Sequence, residues 1–152
     1  MKFKRFKYDC NVVWQDDRRG FVSAKNLAPI SMSAPPEFKG HAGFWTPEHF
    51  FVASVNACFW LTYVGIAEKK GLKLRDFVSF GEGFLDFQEG GYAFTKVEIF
   101  PEIQVESEAD LPLAKQIVHE AEKGCLVARS VRCEVEVLPK ITVSSLVAEE
   151  IC

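Results

Sequence analysis

The chain has 152 residues, enough for a single domain with a core of its own. Hydrophobic residues make up 48% of it and charged residues 26%, which excludes a disordered chain, and a net charge of −3 leaves no basic footprint for nucleic acid. Fourteen Phe and three Trp point to subunit contact or an apolar pocket beyond an ordinary core. Five cysteines, irregularly spaced, do not form a secreted disulfide framework. No CxxC or His/Cys cluster has zinc spacing, so neither metal nor other cofactor is expected. The basic start MKFKRFKYDC has no long apolar run behind it and does not read as a secretion signal, so the expected location is the cytoplasm.

In chain order, Phe6 to Trp14 alternates as a first strand, with Tyr8, Cys10, Val12 and Trp14 on one face. The charged turn Asp16-Asp17-Arg18-Arg19-Gly20 leads into a second strand, Phe21 to Ala24, and Pro29 to Ser33 reads as a third. A Pro- and Gly-rich connection follows, either a plain linker or a shaped loop over a site. It delivers the chain to a helix from Thr46 to Gly71. Thr46 suits the N-cap, Pro47 the first helical position, Glu48 the positive end of the dipole, and Gly71 the stop after Lys69 and Lys70. From Phe50 to Ile66 no residue is charged, so the helix must be wrapped on all sides. Ser54, Asn56, Thr62 and Gly65 within it argue for a buried central helix rather than a membrane span.

Leu74 to Phe87 reads as a strand, with Gly81 and Gly83 suggesting a bulge or strong bend, and Glu89-Gly90-Gly91 supplies a hairpin turn. On the return strand Val97, Ile99, Ile103 and Val105 share one face, and Pro101 argues for an edge or a bulge. Asp110 to Lys123 is a second, amphipathic helix stopped by Gly124, and Val131 to Val137 a last strand. The order predicts an α+β domain over 1–140, mainly antiparallel sheet with helices on one face, and a C-terminal tail over 141–152.

Two cysteines stand where chemistry could use them: Cys58 in mid-helix, and Cys125 just past a helix-ending glycine. A thiol peroxidase needs a thiolate to attack a peroxide oxygen and a second thiol to condense with the sulfenic acid formed. Burial in apolar surroundings raises a thiol pKa, so Cys58 requires a nearby cation. The Arg18 and Arg19 turn could supply one, with Glu48 holding the guanidinium. The plainer reading makes both cysteines core, the arginines solvated, and Glu48 a helix-dipole residue. Cys10 and Cys133 read as core packing on apolar strand faces, and Cys152 as a terminal thiol. His41, His49 and His119 each make poor catalytic candidates, His49 falling in a first helical turn and His119 on a solvated helix.

The segment Pro35-Pro36-Glu37-Phe38-Lys39-Gly40-His41-Ala42-Gly43-Phe44-Trp45-Thr46-Pro47-Glu48, running into Ala57-Cys58-Phe59, resembles the OsmC/Ohr family of osmotically inducible and organic hydroperoxide resistance proteins. In that family a Pro-Glu pair precedes the cysteine of an Ala-Cys-Phe triplet at the spacing kept by Glu48 and Cys58, and Gly124-Cys125-Leu126-Val127 matches the second signature. Thr46 stands for the usual Asn and Leu126 for the usual Pro, and the polar residue that often follows the second cysteine is missing from Val127-Ala128-Arg129. The resemblance implies an intertwined homodimer with central helices buried between subunits and active sites built from both chains. It implies Cys58 as peroxidatic thiol, Cys125 as resolving thiol, Glu48 as the carboxylate that orients the arginine, and Arg18 as that arginine, with Arg19 as the alternative.

The expected activity is that of a two-cysteine peroxidase acting on organic hydroperoxides, recycled by a dithiol reductant for which the resemblance suggests the lipoyl type. Phe44, Trp45, Phe50, Phe51, Phe59 and Trp60 would form the substrate pocket, with core and dimer contact as the competing role for each. The rival expectation is a non-catalytic dimer that binds a hydrophobic small molecule. An acyl-thioester-processing enzyme also suits the architecture, but no acid/base constellation supports it. No nucleic-acid or membrane partner is expected.

Overall fold

A computed structural model describes residues 3–145; Cys152 and the rest of the expected tail beyond residue 145 lie outside them. The chain divides into two compact units, Met1–Phe51 and Val52–Cys152.

The first unit is a three-stranded antiparallel sheet in the order β1-β2-β3, formed by β1 (Asn11–Asp16), β2 (Arg19–Ser23) and β3 (Ile30–Ser33). The ladder between β1 and β2 shifts register at Trp14/Asp16, and Asp17 turns the chain with a positive φ of 42°. Cys10, expected on a buried strand face, lies before β1 and is exposed, and Val12 and Trp14 are exposed as well. A sheet this small has no second layer within its unit to bury them. The Pro/Gly-rich connection is a shaped loop. Pro36–Phe38 forms a 3-10 turn, buried Ser33 accepts the His41 N–H at 3.0 Å, and a Cβ on Gly40 would run into the Ala34 carbonyl oxygen.

Helix α1 (Pro47–Lys70) opens with a capping box in which an imidazole replaces the usual carboxylate. The Thr46 N–H donates to His49 Nδ1 at 3.2 Å while the His49 N–H donates to Thr46 Oγ1 at 3.3 Å. Gly71, at φ 71°, ends the helix as its pattern foretold. By length and composition α1 would suffice to cross a bilayer. Within one chain its expected burial on every side is not seen: Val55, Phe59, Tyr63 and Ala67 form one buried stripe, and Trp60 and Leu61 stay 43% and 60% exposed. One sheet can cover only one face of a helix.

That sheet belongs to the second unit, where β4 (Leu74–Gln88) and β5 (Gly91–Val105) form a long antiparallel hairpin through Gly90. Its buried face carries Val97, Ile99, Ile103 and Val105, as the alternation predicted. Gly81 and Gly83 sit in regular ladder, the bulge falling later at Phe84/Leu85. Their role is close approach: a Cβ on Gly83 would stand 2.5 Å from Val52 Cγ2, and Asn56 bonds Ser79 across the same gap at 2.6 Å.

Helix α2 (Leu111–Gly124) buries Ala114, Ile117, Val118 and Ala121, and the Tyr63 hydroxyl donates to the Ala114 carbonyl at 3.4 Å. Because α2 is a crossover, β6 (Glu134–Val137) returns parallel to β5, and so does β7 (Lys140–Val143), adding two short parallel ladders to a mainly antiparallel sheet. β7 takes in the first residues assigned to the tail. Leu138-Pro139 only interrupts the ladder: β6 leaves at Ile99 and β7 joins at Glu102, with Pro101 in the gap.

Candidate active site

Cys58 is half-buried in the middle of α1, next to the buried stripe. Cys125 is the first residue after α2, in extended conformation, with its N–H on the Ala121 carbonyl at 2.9 Å and its own carbonyl accepting from Arg129 at 3.1 Å. Gly124 lets this helix end approach α1, since a Cβ there would lie 3.3 Å from Thr62 Cγ2. The close approach carries Cys125 to Cys58, and their thiols are in hydrogen-bonding contact, both free. The chain then turns through Leu126 and Val127 into a 3-10 turn at Ala128–Ser130, and the Val127 N–H donates to Cys58 Sγ at 3.5 Å.

The two thiols are driven apart in acidity. Burial alone would push Cys58 up, but the Val127 N–H, the Cys125 thiol, the Thr62 hydroxyl and the Leu126 N–H outweigh it, and Cys58 lies below the ordinary thiol value. Burial pushes Cys125 up to about 11, with its hydrogen bond to Cys58 and the charge there adding to the rise. A proton shared by this pair therefore rests on Cys125 rather than on Cys58. Within this unit the groups that lower Cys58 are two main-chain N–H donors, a thiol and a hydroxyl. Thr62 was missed as a site residue, although it stands four positions beyond Cys58, one helical turn on; its single hydroxyl proton is shared between the Cys58 thiol and the Cys58 carbonyl, the latter at 2.7 Å. The two N–H groups carry no signal in the sequence.

Arg18, Arg19 and Glu48 belong to the first unit. Arg19 is held by a two-pronged pair to Asp16, both contacts 2.7 Å, and its guanidinium carbon lies 6.0 Å from the centre of the Phe44 ring. Arg18 is exposed, with no side-chain partner among the described residues. Glu48 Oε2 is buried and has no hydrogen-bond partner among them. His41 pairs with Asp17 at 2.9 Å, His49 caps α1, and His119 lies 3.3 Å from Glu122, so each histidine has a structural partner.

The six aromatic residues divide as well. Phe44, Trp45, Phe50 and Phe51 fall in the first unit, where Trp45 and Phe50 stack at 5.5 Å. Phe59 and Trp60 fall in the second, and of the six only Phe59 lines the cavity beside Cys125, a space of about 200 Å³ also walled by Val55, Ala128, Val135 and Val137. No group of three or more metal-binding side chains occurs among the described residues.

A model of the family described as OsmC-like protein matches residues 40–139. The chain is similar to the uncharacterized protein YmaD of Bacillus subtilis (strain 168), at 25% identity over 128 residues, 81% of this chain and 85% of that one. Its fold matches an OsmC-like protein of unknown function from Vibrio cholerae O1 biovar eltor str. N16961 with a TM-score of 0.82 at 22% identity, over 90% of this chain and 100% of the other. It also matches an organic hydroperoxide resistance protein OsmC from Legionella pneumophila with a TM-score of 0.69 at 25% identity, over 92% and 99% of the two chains.

Proposed function

Because the chain belongs to the OsmC-like family, we propose that it is a thiol-dependent peroxidase that reduces organic hydroperoxides, with Cys58 attacking and Cys125 resolving. The observation that carries this reading is the split within one thiol pair in contact, Cys58 lowered and Cys125 raised to about 11. The Cys58 thiolate attacks the distal oxygen of the hydroperoxide, the O–O bond breaks, the alcohol leaves with a proton, and a sulfenic acid remains. The Cys125 thiol displaces water from it and closes the disulfide. A dithiol, of lipoyl type in this reading, returns two electrons and two protons.

The site is completed in a homodimer, where Arg18 polarises the peroxide and Glu48 holds its guanidinium. Two features support this. A buried carboxylate oxygen without a partner, as at Glu48, is costly unless a cation reaches it. Arg18 is the free arginine of the turn, Arg19 being engaged by Asp16. A second copy would also cover the bare side of α1, including Trp60 and Leu61.

Peroxide consumption by variants tests the assignment. Cys58→Ser is expected to abolish turnover of cumene hydroperoxide, and Cys125→Ser to allow a single round of oxidation. Full activity in Cys58→Ser would overturn the roles. Equal turnover of hydrogen peroxide and cumene hydroperoxide would count against an organic substrate.

A further inference from the structure

Cys125 has a second neighbour that this cycle does not use. Together with Cys133 it lines the cavity of about 200 Å³, to which Cys58 contributes no wall. Cys125 thus meets Cys58 on one side and a space shared with Cys133 on another. Cys133 lies immediately before β6, a free thiol, half-buried where Cys125 is only 1% exposed. The remaining walls of the cavity are mainly apolar side chains of α1 and β6, with Arg129 and Glu122 as its charged members.

We propose that Cys133 is a third redox thiol, which takes the disulfide over from Cys58 by exchange at Cys125. The proposal rests on the peroxidase reading for the origin of the first disulfide. In the step, the Cys133 thiol gives its proton to solvent and its sulfur attacks Cys125 Sγ through the cavity. The Cys125–Cys133 bond forms as the Cys58–Cys125 bond breaks, and Cys58 leaves as a thiolate that accounts for the electron pair; no external oxidant or reductant enters. Exchange requires the incoming sulfur to approach the attacked sulfur away from the leaving one, and Cys125 lines this cavity together with Cys133 and without Cys58. Cys58 is the better leaving group because the Leu126 and Val127 N–H groups hold its thiolate. Burial pushes the Cys133 thiol up, which slows the attack and makes the two disulfides appear in sequence.

Two consequences follow for the cycle. The outer sulfur of the disulfide moves from mid-α1 to the residue before β6, which gives a dithiol reductant a second place of attack. Cys58 is also freed for a second peroxide, ending as a sulfenic acid with no thiol left to resolve it.

The test is peptide mapping of fully reduced protein, freed of reductant, alkylated at intervals after three equivalents of cumene hydroperoxide. The expected course is a Cys58–Cys125 disulfide first and a Cys125–Cys133 disulfide later, with peroxide uptake of two equivalents per chain against one in Cys133→Ser. A Cys58–Cys125 disulfide that persists, with Cys133 alkylated throughout, overturns the relay and leaves the peroxidase reading intact. No disulfide with peroxide would instead count against the peroxidase reading. The relay then stands or falls on Cys58→Ser treated with diamide: Cys125–Cys133 formation supports it, and its absence overturns it.

Discussion

Cys58 owes its acidity to its neighbours' N–H and O–H groups, and this can be dissected one donor at a time. Leu126→Pro removes one N–H, and Thr62→Val removes a hydroxyl while keeping the branched shape. In each variant the pH at which Cys58 becomes reactive toward iodoacetamide should rise, slowing its alkylation several-fold at neutral pH; an unmoved profile would remove that donor from the account. Cys125 should resist alkylation until the pH nears about 11. Between the ordinary thiol value of 9.0 and about 11, the unfolded chain releases a proton that folded Cys125 keeps. Its burial therefore contributes stability below that window that is lost as the pH rises through it. At this scale the sequence was half legible. The Glu48-to-Cys58 spacing and the Gly124-Cys125 junction marked the thiols. The donors that tune them are main-chain groups placed by a turn, to which side-chain identity gives no direct clue.

Helix α1 and the hairpin beneath it depend on two glycines that had been read as a bend. A methyl group on Gly83 meets Val52 Cγ2 at 2.5 Å and Phe94 Cε1 at 2.8 Å, so both side chains must shift to admit it. Gly83→Ala should cost about 1–3 kcal/mol in urea unfolding, and Val52→Ala in the same chain should recover part of it. A neutral Gly83→Ala would show that the helix can lift from the sheet. His49→Ala should cost about 1 kcal/mol through the lost cap, with His49→Gln recovering part of it as a carbonyl acceptor. The long periodic elements, α1, α2 and the β4–β5 hairpin, were legible because caps, glycines and alternation agreed. β7 was not, because Pro139 imitates an end where it only interrupts the ladder. The parallel pairing of β6 depends on the α2 crossover, which strand patterns alone do not specify.

Across the whole molecule, apolar surface remains bare in a single chain: Trp14 is 73% exposed, Leu61 60%, Phe80 61% and Phe87 72%. Sedimentation should find two copies of the 17.1 kDa chain, and Leu61→Lys should shift the population toward monomer and lower peroxidase activity with it. A monomer with full activity would refute completion of the site by a second copy. The aromatic excess and the all-apolar helix state only that surface must be covered, not by what. The central claim is that Cys58 and Cys125 form a working thiol pair, and the most direct measurement is intact mass before and after one equivalent of cumene hydroperoxide on reduced protein. Loss of two hydrogens within seconds, mapped to Cys58 and Cys125 at the earliest time and reversed by a dithiol, is the predicted result. An unchanged mass after minutes, or addition of oxygen without a disulfide, would contradict it.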